Sequence, residues 1–179
     1  DLSAEKTERI RENAQRMQMD NIEIQEWDAR NLDPEKEEKA DVVLLDVPCS
    51  GLGVMGKKRD IKYHITGEGM ESLHVLQREI VDVCSRYVKP GGTLLYSTCT
   101  VNPAENEAMV RYIAEELGFA PVSVEEELPE ALKAQKRETA ALRDAEGKKD
   151  GLNAEERRAC IQLLPGYMAA DGFFIAKFQ

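Results

Sequence analysis

Two of the four cysteines stand where an α/β fold places reactive side chains. Cys49 lies in Val47-Pro48-Cys49-Ser50-Gly51, directly after an apolar run, and Cys99 lies between two threonines after another such run. Most free cysteines are small buried thiols. A turn of proline, serine and glycine is exposed, however, and a thiol in such a turn does not contribute to packing. The pair is therefore a candidate for nucleophilic chemistry, in which a thiolate adds to an electrophilic carbon and later leaves.

Three aspartates are candidates for ligand binding. Asp46 closes the apolar run before Cys49, where a buried carboxylate is costly unless it has a partner. It is either a capping or turn residue, or an acceptor for the amine or amide of a ligand. Asp28 follows Trp27 at the end of a predicted strand. Asp1 would follow a strand upstream of it, where Rossmann-like folds hold the acid that binds ribose hydroxyls.

The hydrophobic pattern predicts the elements that position these side chains. Helices are predicted over about 3–19, over about 70–88 and after Pro103. The second helix carries an apolar stripe of Leu73, Leu76, Ile80, Val83 and Tyr87. Strands are predicted at 22–27, 41–46, 93–97, 119–124, 160–164 and 172–178. This alternation indicates an α/β domain with a largely parallel sheet.

The strand at 41–46 is continuously apolar, which is typical of a strand buried on both faces. In a parallel sheet, ligands bind beyond the carboxyl ends of the strands. The polar signals lie at three such ends: Asp28, the loop 46–53 and the segment 97–100. We therefore expect one crevice to hold the sulfurs of both Cys49 and Cys99.

The composition limits the classes of function. A formal net charge of −10 argues against a wide surface for nucleic acid, which requires clustered lysine and arginine. One basic cluster does exist, Lys57-Lys58-Arg59 with Lys62, and it follows Cys49 closely. No apolar run approaches the length of a membrane span, and the first residues are charged. We expect a cytoplasmic protein that does not associate with membranes.

Metal sites and disulfides are not expected. No two cysteines have CxxC spacing, and His64 and His74 complete no zinc-binding pattern. Cys84, on the apolar helix, and Cys160 are interpreted as buried thiols. A cysteine hydrolase would need a positioned histidine, for which neither histidine offers a suitable context. Residues 125–158 are dense in charge of both signs and are predicted to form a surface excursion, partly helical or disordered, within one domain over 1–179.

Two motifs resemble those of the RNA cytosine-C5 methyltransferase family. Asp46-Val47-Pro48-Cys49-Ser50-Gly51 is similar to its D-[AV]-P-C-S-G motif, with valine where alanine is commoner. Tyr96-Ser97-Thr98-Cys99-Thr100, followed by Asn102-Pro103-Ala104-Glu105-Asn106-Glu107, is similar to its second cysteine motif. Asp60-Ile61-Lys62-Tyr63 and Asp171-Gly172-Phe173-Phe174-Ile175-Ala176-Lys177 match further patterns, although Arg59 stands where relatives often have proline. The resemblance covers the whole chain except the charged excursion, and bacterial members that act on 16S ribosomal RNA are most similar.

The resemblance implies a Rossmann-like methyltransferase sheet, mostly parallel with an antiparallel final strand, whose first strand would lie before Asp1. It implies S-adenosyl-L-methionine as the cofactor and RNA as the substrate. In the most similar members this RNA is 16S rRNA. Cys99 would form a covalent bond to C6 of the cytosine, and Cys49 would help to release the product. Asp1, Asp28 and Asp46 match the acidic cofactor-site positions, with Asp46 also near the base. Lys57, Lys58, Arg59 and Lys62 would hold RNA phosphates.

Other interpretations remain open from the sequence. The family's Pro-Gly-Gly-Lys cofactor loop and its RNA-binding N-terminal domain would both lie before Asp1. A methyltransferase-like sheet can serve as a non-catalytic module for RNA or protein interaction, although a scaffold needs neither the two cysteines nor the three acids. Within the enzyme class, a tRNA cytosine is an alternative substrate.

Overall fold

The computed structural model describes the chain except for residues 59, 62–65, 146–149 and 167–169, and it describes only the backbone of 142–145. The helices and strands, in chain order, are α1 (Ala4–Arg16), β1 (Ala40–Asp46), α2 (Gly67–Cys84), β2 (Val88–Thr98), α3 (Glu107–Glu115), α4 (Glu130–Ala145), α5 (Ala154–Ala159), β3 (Cys160–Leu163) and β4 (Phe173–Phe178). Within the described parts of the chain, no helix is long and apolar enough to cross a membrane.

The four strands form one mixed sheet in the order β1-β2-β4-β3. β1 and β2 are parallel, and β4 is antiparallel to both β2 and β3. Three strands therefore run in one direction, and the last strand of the chain runs against them. This confirms the predicted α/β fold with an antiparallel final strand.

The register of β1 and β2 places the two cysteine loops at one edge. Asp46, the last residue of β1, pairs with Ser97, the penultimate residue of β2. Both strands therefore end at the same level, and Cys49 and Cys99 follow within a few residues. α2 connects the two strands, as a parallel pair requires. Thr66 caps this helix by accepting a hydrogen bond from Gly69 N.

The core lies between the sheet and the helices. Its fully buried side chains come from the central strands and from α3, and they include Leu94, Tyr96, Met109, Ile113, Phe174 and Phe178. α2 contributes Ile80, Val81 and Cys84. Cys84 and Cys160 are both buried, as predicted.

Two predicted strands do not form. Residues 22–27 are irregular, and among the described residues their backbone pairs only with Asp1, through Trp27 N to Asp1 O (2.9 Å) and Asp1 N to Gln25 O (3.1 Å). Alternating side chains are not enough, because a strand also needs a partner along its length. Residues 119–124 run beside β4 without forming a strand: Ala120 and Gln179 exchange two backbone hydrogen bonds, Val122 N donates to Lys177 O, and Pro121 makes an isolated bridge with Phe178.

β1 is not buried on both faces, contrary to the prediction from its continuous apolar run. Among the residues that the structure describes, it is the edge strand of the sheet and pairs only with β2. Leu45 is buried, but Val42 is 57% and Leu44 66% exposed. The apolar sequence therefore leaves one face of this edge strand open to solvent.

The charged segment 125–158 is partly helical. It forms α4 and α5, and α4 packs against β3 with Gln135 and Thr139 buried. α5 begins with a capping box in which Asn153 and Glu156 satisfy each other's backbone N–H groups. The segment therefore combines charges of both signs with a helix face that packs against the sheet.

Candidate active site

The loop that carries Cys49 continues the ladder beyond β1 and then turns sharply. Val47 N donates to Ser97 O over 3.2 Å, so the two strand ends remain paired up to Pro48. Gly51 has φ +69°, a left-handed conformation that glycine adopts without strain. The chain then enters a single helical turn at Leu52–Val54. Cys49 is therefore held in a tight loop and is only partly buried.

Gly53 joins this loop to two others. Its N–H donates to Cys99 O over 3.0 Å, and its carbonyl accepts from Gly172 N over 2.8 Å. A Cβ on Gly53 would lie 2.4 Å from Gly172 O and 2.7 Å from Cys99 O. Only glycine permits this approach of three backbones. The Cys49 loop, the Cys99 loop and the start of β4 are thereby fixed to one another.

The sulfurs of Cys49 and Cys99 lie 3.2 Å apart and make a thiol hydrogen bond in which either can donate. Both residues are partly buried and reduced. The structure thus confirms that one crevice at the carboxyl edge of the sheet holds both sulfurs. A cavity of about 230 Å³ opens beside Cys49, with Thr66, Met70 and Leu73 among its lining residues.

Burial raises the pKa of the Cys49 thiol well above its ordinary value, and the contact with Cys99 raises that pKa further. Cys49 is therefore protonated at neutral pH. The protonated thiol of Cys49 can donate its hydrogen to the Cys99 sulfur.

Glu105 is a central residue of the site that the sequence interpretation did not single out. Its carboxylate accepts hydrogen bonds from Ser50 N (2.8 Å), Ser50 Oγ (2.5 Å), Gln77 Nε2 (3.0 Å) and Asn102 Nδ2 (2.9 Å). Glu105 is completely buried. The segment Asn102–Glu107 was identified only by its resemblance to a family motif. The acid three residues after Asn102 is the sequence signal that could have pointed to Glu105.

Asn106 and Gln162 support the loop that carries Cys99. Asn106 accepts from Thr98 Oγ1 (2.7 Å) and donates to Thr100 O (3.1 Å) and to Gln162 Oε1 (2.8 Å). Gln162 in turn donates to Phe173 O over 3.1 Å. The turn around Cys99 is therefore tied to the two antiparallel strands.

The three aspartates have different surroundings. Asp46 is exposed at the end of β1, and its Oδ1 accepts from Ser97 Oγ over 3.1 Å. Asp28 is paired with Arg30 through both carboxylate oxygens, and the hydrogen bonds from Arg30 lower the pKa of Asp28 to about 2. Asp1 accepts from Ser3 N over 3.0 Å. Among the described residues, no hydrogen bond joins Asp1 or Asp28 to Asp46 or to the cysteines.

Half of the basic cluster is described. Lys57 forms an ion pair with Asp171 (2.6 Å), and Lys58 is exposed. Arg59 and Lys62 lie outside the described residues, as does His64. His74 lies on α2, with Nδ1 3.9 Å from Glu71, and it is not hydrogen-bonded to either cysteine. The described residues thus contain no cysteine–histidine pair of the kind that a hydrolase uses.

This sheet, with reactive groups at its strand ends, defines a Rossmann-like S-adenosylmethionine-dependent methyltransferase fold. A solved structure of PH0851 superposes on the whole chain with a TM-score of 0.76 at 28% identity, and the match covers 35% of that protein. NSun6 from Pyrococcus horikoshii, solved with SFG, gives a TM-score of 0.72 at 26% identity over the whole chain and 40% of that protein.

The model of the 16S rRNA methyltransferase RsmB/F family matches residues 1–179, and the chain therefore belongs to that family. The probable ribosomal RNA small subunit methyltransferase B of Bacillus subtilis (strain 168) is 35% identical over the whole chain. The ribosomal RNA small subunit methyltransferase F of Escherichia coli O9:H4 (strain HS) is 30% identical over the whole chain. The matches cover 36% and 34% of these proteins, so the chain spans about a third of their length.

Proposed function

We propose that this chain carries the reacting groups of an RNA cytosine-C5 methyltransferase that modifies 16S ribosomal RNA. The observation that supports this function best is the 3.2 Å contact between Cys49 Sγ and Cys99 Sγ. Two thiols at one strand edge suit a reaction that needs a nucleophile and a separate base. Membership of the RsmB/F family supports RNA as the substrate class.

Cys99 is the proposed nucleophile. C5 of cytosine is too weakly nucleophilic to take a methyl group unaided, but addition of a thiolate to C6 gives an enamine whose C5 can attack. Cysteine suits this step because a thiolate both adds and leaves readily. Cys49 Sγ lies 3.2 Å from Cys99 Sγ and can donate a hydrogen bond to it.

Cys49 is the proposed base for product release. After C5 has been methylated, its proton must be removed before the bond between C6 and Cys99 can break. Cys49 first gives up its thiol proton to solvent; the C5 proton then passes to the Cys49 thiolate, the C5–C6 double bond re-forms, and the Cys99 thiolate leaves. The raised pKa of Cys49 makes its thiolate a strong base once the resting proton has been lost.

S-adenosyl-L-methionine, when bound, supplies the methyl group as an electrophilic carbon on a sulfonium. Asp46 suits a ligand because its carboxylate is exposed and is oriented by Ser97. Asp1 also offers an exposed carboxylate. Asp28 fits less simply, because a ligand would have to share its carboxylate with Arg30. We assign Asp1 to ribose, Asp28 to the adenine side, and Asp46 to the methionine side and the exocyclic amine of the base.

RNA binding is assigned to Lys57, Lys58, Arg59 and Lys62. The target cytosine must leave its stack to meet Cys99, which costs a few kcal/mol and requires contacts to the neighbouring backbone. Lys57 would exchange its pairing with Asp171 for a phosphate. With a net charge of −10, the chain can provide only this local contact. A bacterial enzyme with this substrate acts in the cytoplasm.

The function is tested by trapping the covalent intermediate. In the full-length protein incubated with 16S rRNA and cofactor, Cys99→Ala should abolish methyl transfer and form no adduct on denaturing gels. Cys49→Ala should accumulate an adduct, because addition occurs and release does not. Cys84→Ala is the matched control, since this buried thiol lies on α2 and contacts Ala29 O instead of the crevice. An adduct with Cys99→Ala and none with Cys49→Ala would reverse the two roles, and no adduct with any variant would refute the mechanism.

A further inference from the structure

Glu105 connects the two cysteine loops from inside the protein. It follows Cys99 by six residues, yet both of its carboxylate oxygens accept hydrogen bonds from Ser50, the residue after Cys49. Gln77 and Asn102 supply two further donors. A carboxylate offers about four lone-pair positions, so these four donors occupy its capacity. A buried charge is tolerated when it is satisfied in this way.

Gln77 holds the other side of Cys49. Its Nε2 donates to Glu105 Oε2 and also to Pro48 O over 2.9 Å, so the side chain bridges Glu105 and the residue before Cys49. Gln77 is completely buried, and its Oε1 has no hydrogen-bond partner among the described residues. An unsatisfied buried acceptor destabilises the folded state, because it has lost its hydrogen bond to water. Gln77 therefore makes its two hydrogen bonds at a cost to the stability of the folded protein.

The two residues that flank Cys49 are thus both fixed by one buried pair. Pro48 O is held by Gln77, and Ser50 N and Oγ are held by Glu105. The pair is itself anchored, because Tyr96 Oη donates to Glu105 O over 2.7 Å. Cys99 has further supports of its own, through Gly53 N and the turn supported by Asn106, while Thr100 beside it also shares a hydrogen bond with Ser50 Oγ over 2.8 Å. Loss of the Glu105–Gln77 pair should therefore displace Cys49 more than Cys99.

We propose that Glu105 and Gln77 are positioning residues for Cys49 and so control product release more than addition. This inference rests on the proposed function, in which Cys49 removes the C5 proton. A displacement of about 1 Å can slow a positioned step about a hundredfold. A weaker Glu105–Gln77 pair should therefore leave addition by Cys99 largely intact and delay release.

The test measures addition and release separately in the full-length protein with 16S rRNA. Glu105→Gln keeps the shape of the side chain but turns an NH₂ group toward N–H donors. We expect adduct to form within about threefold of the wild-type rate and to disappear about 10–100 times more slowly. Gln77→Met removes the donors at similar volume and should show the same pattern. Glu156→Gln is the matched control, since Glu156 is equally buried but caps α5 instead of contacting the Cys49 loop.

A purely structural role predicts a different result. Glu105→Gln and Gln77→Met would then reduce addition and release equally, without accumulation of adduct, and the inference would be wrong. Should Glu105→Gln fail to fold, Gln77→Met decides the matter by the same measurement. Cys49→Ala, assayed in parallel, separates this inference from the proposed function. If Cys49→Ala traps no adduct, the mechanism itself fails; if it does and both positioning variants release normally, only the inference fails.

Discussion

Gly172 donates its backbone N–H to the carbonyl of Gly53 over 2.8 Å, and this bond joins the last strand of the sheet to the loop that carries Cys49. The contact is possible because neither residue has a side chain: a Cβ on Gly172 would lie 2.6 Å from Gly53 Cα. Gly53 also donates to Cys99 O. The distance between the two sulfurs thus depends on a backbone packing that lies outside both cysteine motifs.

Gly53→Ala should therefore disturb the site more than the addition of a single methyl group would suggest. The new methyl group would have to displace backbone atoms of Gly172 and Cys99, so we expect the free energy of unfolding to fall by about 1–3 kcal/mol. Methyl transfer should fall about a hundredfold, because both sulfurs move. Denaturant unfolding and single-turnover kinetics measure the two effects. Gly56→Ala is the control, since a Cβ there meets nothing within 4 Å, and equal losses in both variants would contradict the packing argument.

The raised pKa of Cys49 predicts how stability depends on pH. An unfolded cysteine titrates near about 8.5, whereas the folded protein retains the proton of Cys49 above that pH. The unfolded state then binds fewer protons, so this contribution to stability is constant below about pH 8 and is lost as the pH rises further. The slope is at most about 1.4 kcal/mol per pH unit. Urea unfolding between pH 7 and 10 should show a shallower decline for Cys49→Ser than for the wild type; parallel declines would mean that the thiol is not perturbed.

The proximity of the two sulfurs predicts selective oxidation. Hydrogen peroxide should join Cys49 and Cys99 in a disulfide, in which two thiols lose two electrons and two protons and the peroxide is reduced to water. Cys84 and Cys160 are buried and should remain reduced. Thiol titration in denaturant should fall by two per chain, methyl transfer should stop, and dithiothreitol should restore both. Cys49→Ala should show no such internal bridge; loss of all four thiols would indicate general oxidation instead.

The sequence predicted the position of the two cysteines better than the residues that support them. The ends of two apolar runs identified Cys49 and Cys99, because the carboxyl ends of parallel strands share one edge whatever the details of packing. Gln77 could not be found in this way. The apolar stripe predicted Leu73, Leu76 and Val83 as the inner face of α2, but Gln77, Val81 and Cys84 are buried, and Ile80 alone belongs to both sets. The orientation of a helix is set by partners distant in sequence, here Pro48 and Glu105.

The sequence also failed to predict which strand faces are buried, for the same physical reason. Val42 and Leu44 have the residue types of a doubly covered strand, yet their exposure depends on what packs over β1. Ile22–Trp27 alternates correctly but finds only Asp1 as a backbone partner within the described chain. Local patterns therefore predicted most of the strands of the sheet and the meeting of Cys49 and Cys99 at one edge. They could not predict which edges and faces are covered.

The two described lysines of the basic cluster should contribute unequally to RNA binding. A phosphate contact by Lys57 requires the ion pair with Asp171 to open, whereas Lys58 is exposed and bears no such cost in the structure. Lys58→Ala should reduce the affinity of the full-length protein for 16S rRNA fragments and lower the salt slope by about one. Lys57→Ala should have a smaller effect. Filter binding at several salt concentrations measures both, and a larger loss with Lys57→Ala would place the phosphate contact on Lys57 despite its pairing.

The 179 residues on their own should bind S-adenosylmethionine weakly. The Pro-Gly-Gly-Lys sequence that the family resemblance leads one to expect does not occur in them, so they lack the backbone donors of such a turn. Of the three acids, Asp28 is already engaged by Arg30. The exposed apolar face of β1, with Val42 and Leu44, should also promote association of the isolated chain.

Calorimetric titration and light scattering of the 179-residue polypeptide test this expectation. We expect a dissociation constant in the millimolar range or no detectable heat, together with oligomers that disperse when Val42 and Leu44 are replaced by threonine. Threonine is β-branched, which suits a strand, and it removes much of the apolar surface. Extension of the polypeptide toward the amino terminus should restore binding. Micromolar binding by the 179 residues alone would instead show that Asp1, Asp28 and Asp46 suffice, and Arg30→Ala would then reveal whether the pairing of Asp28 limits affinity.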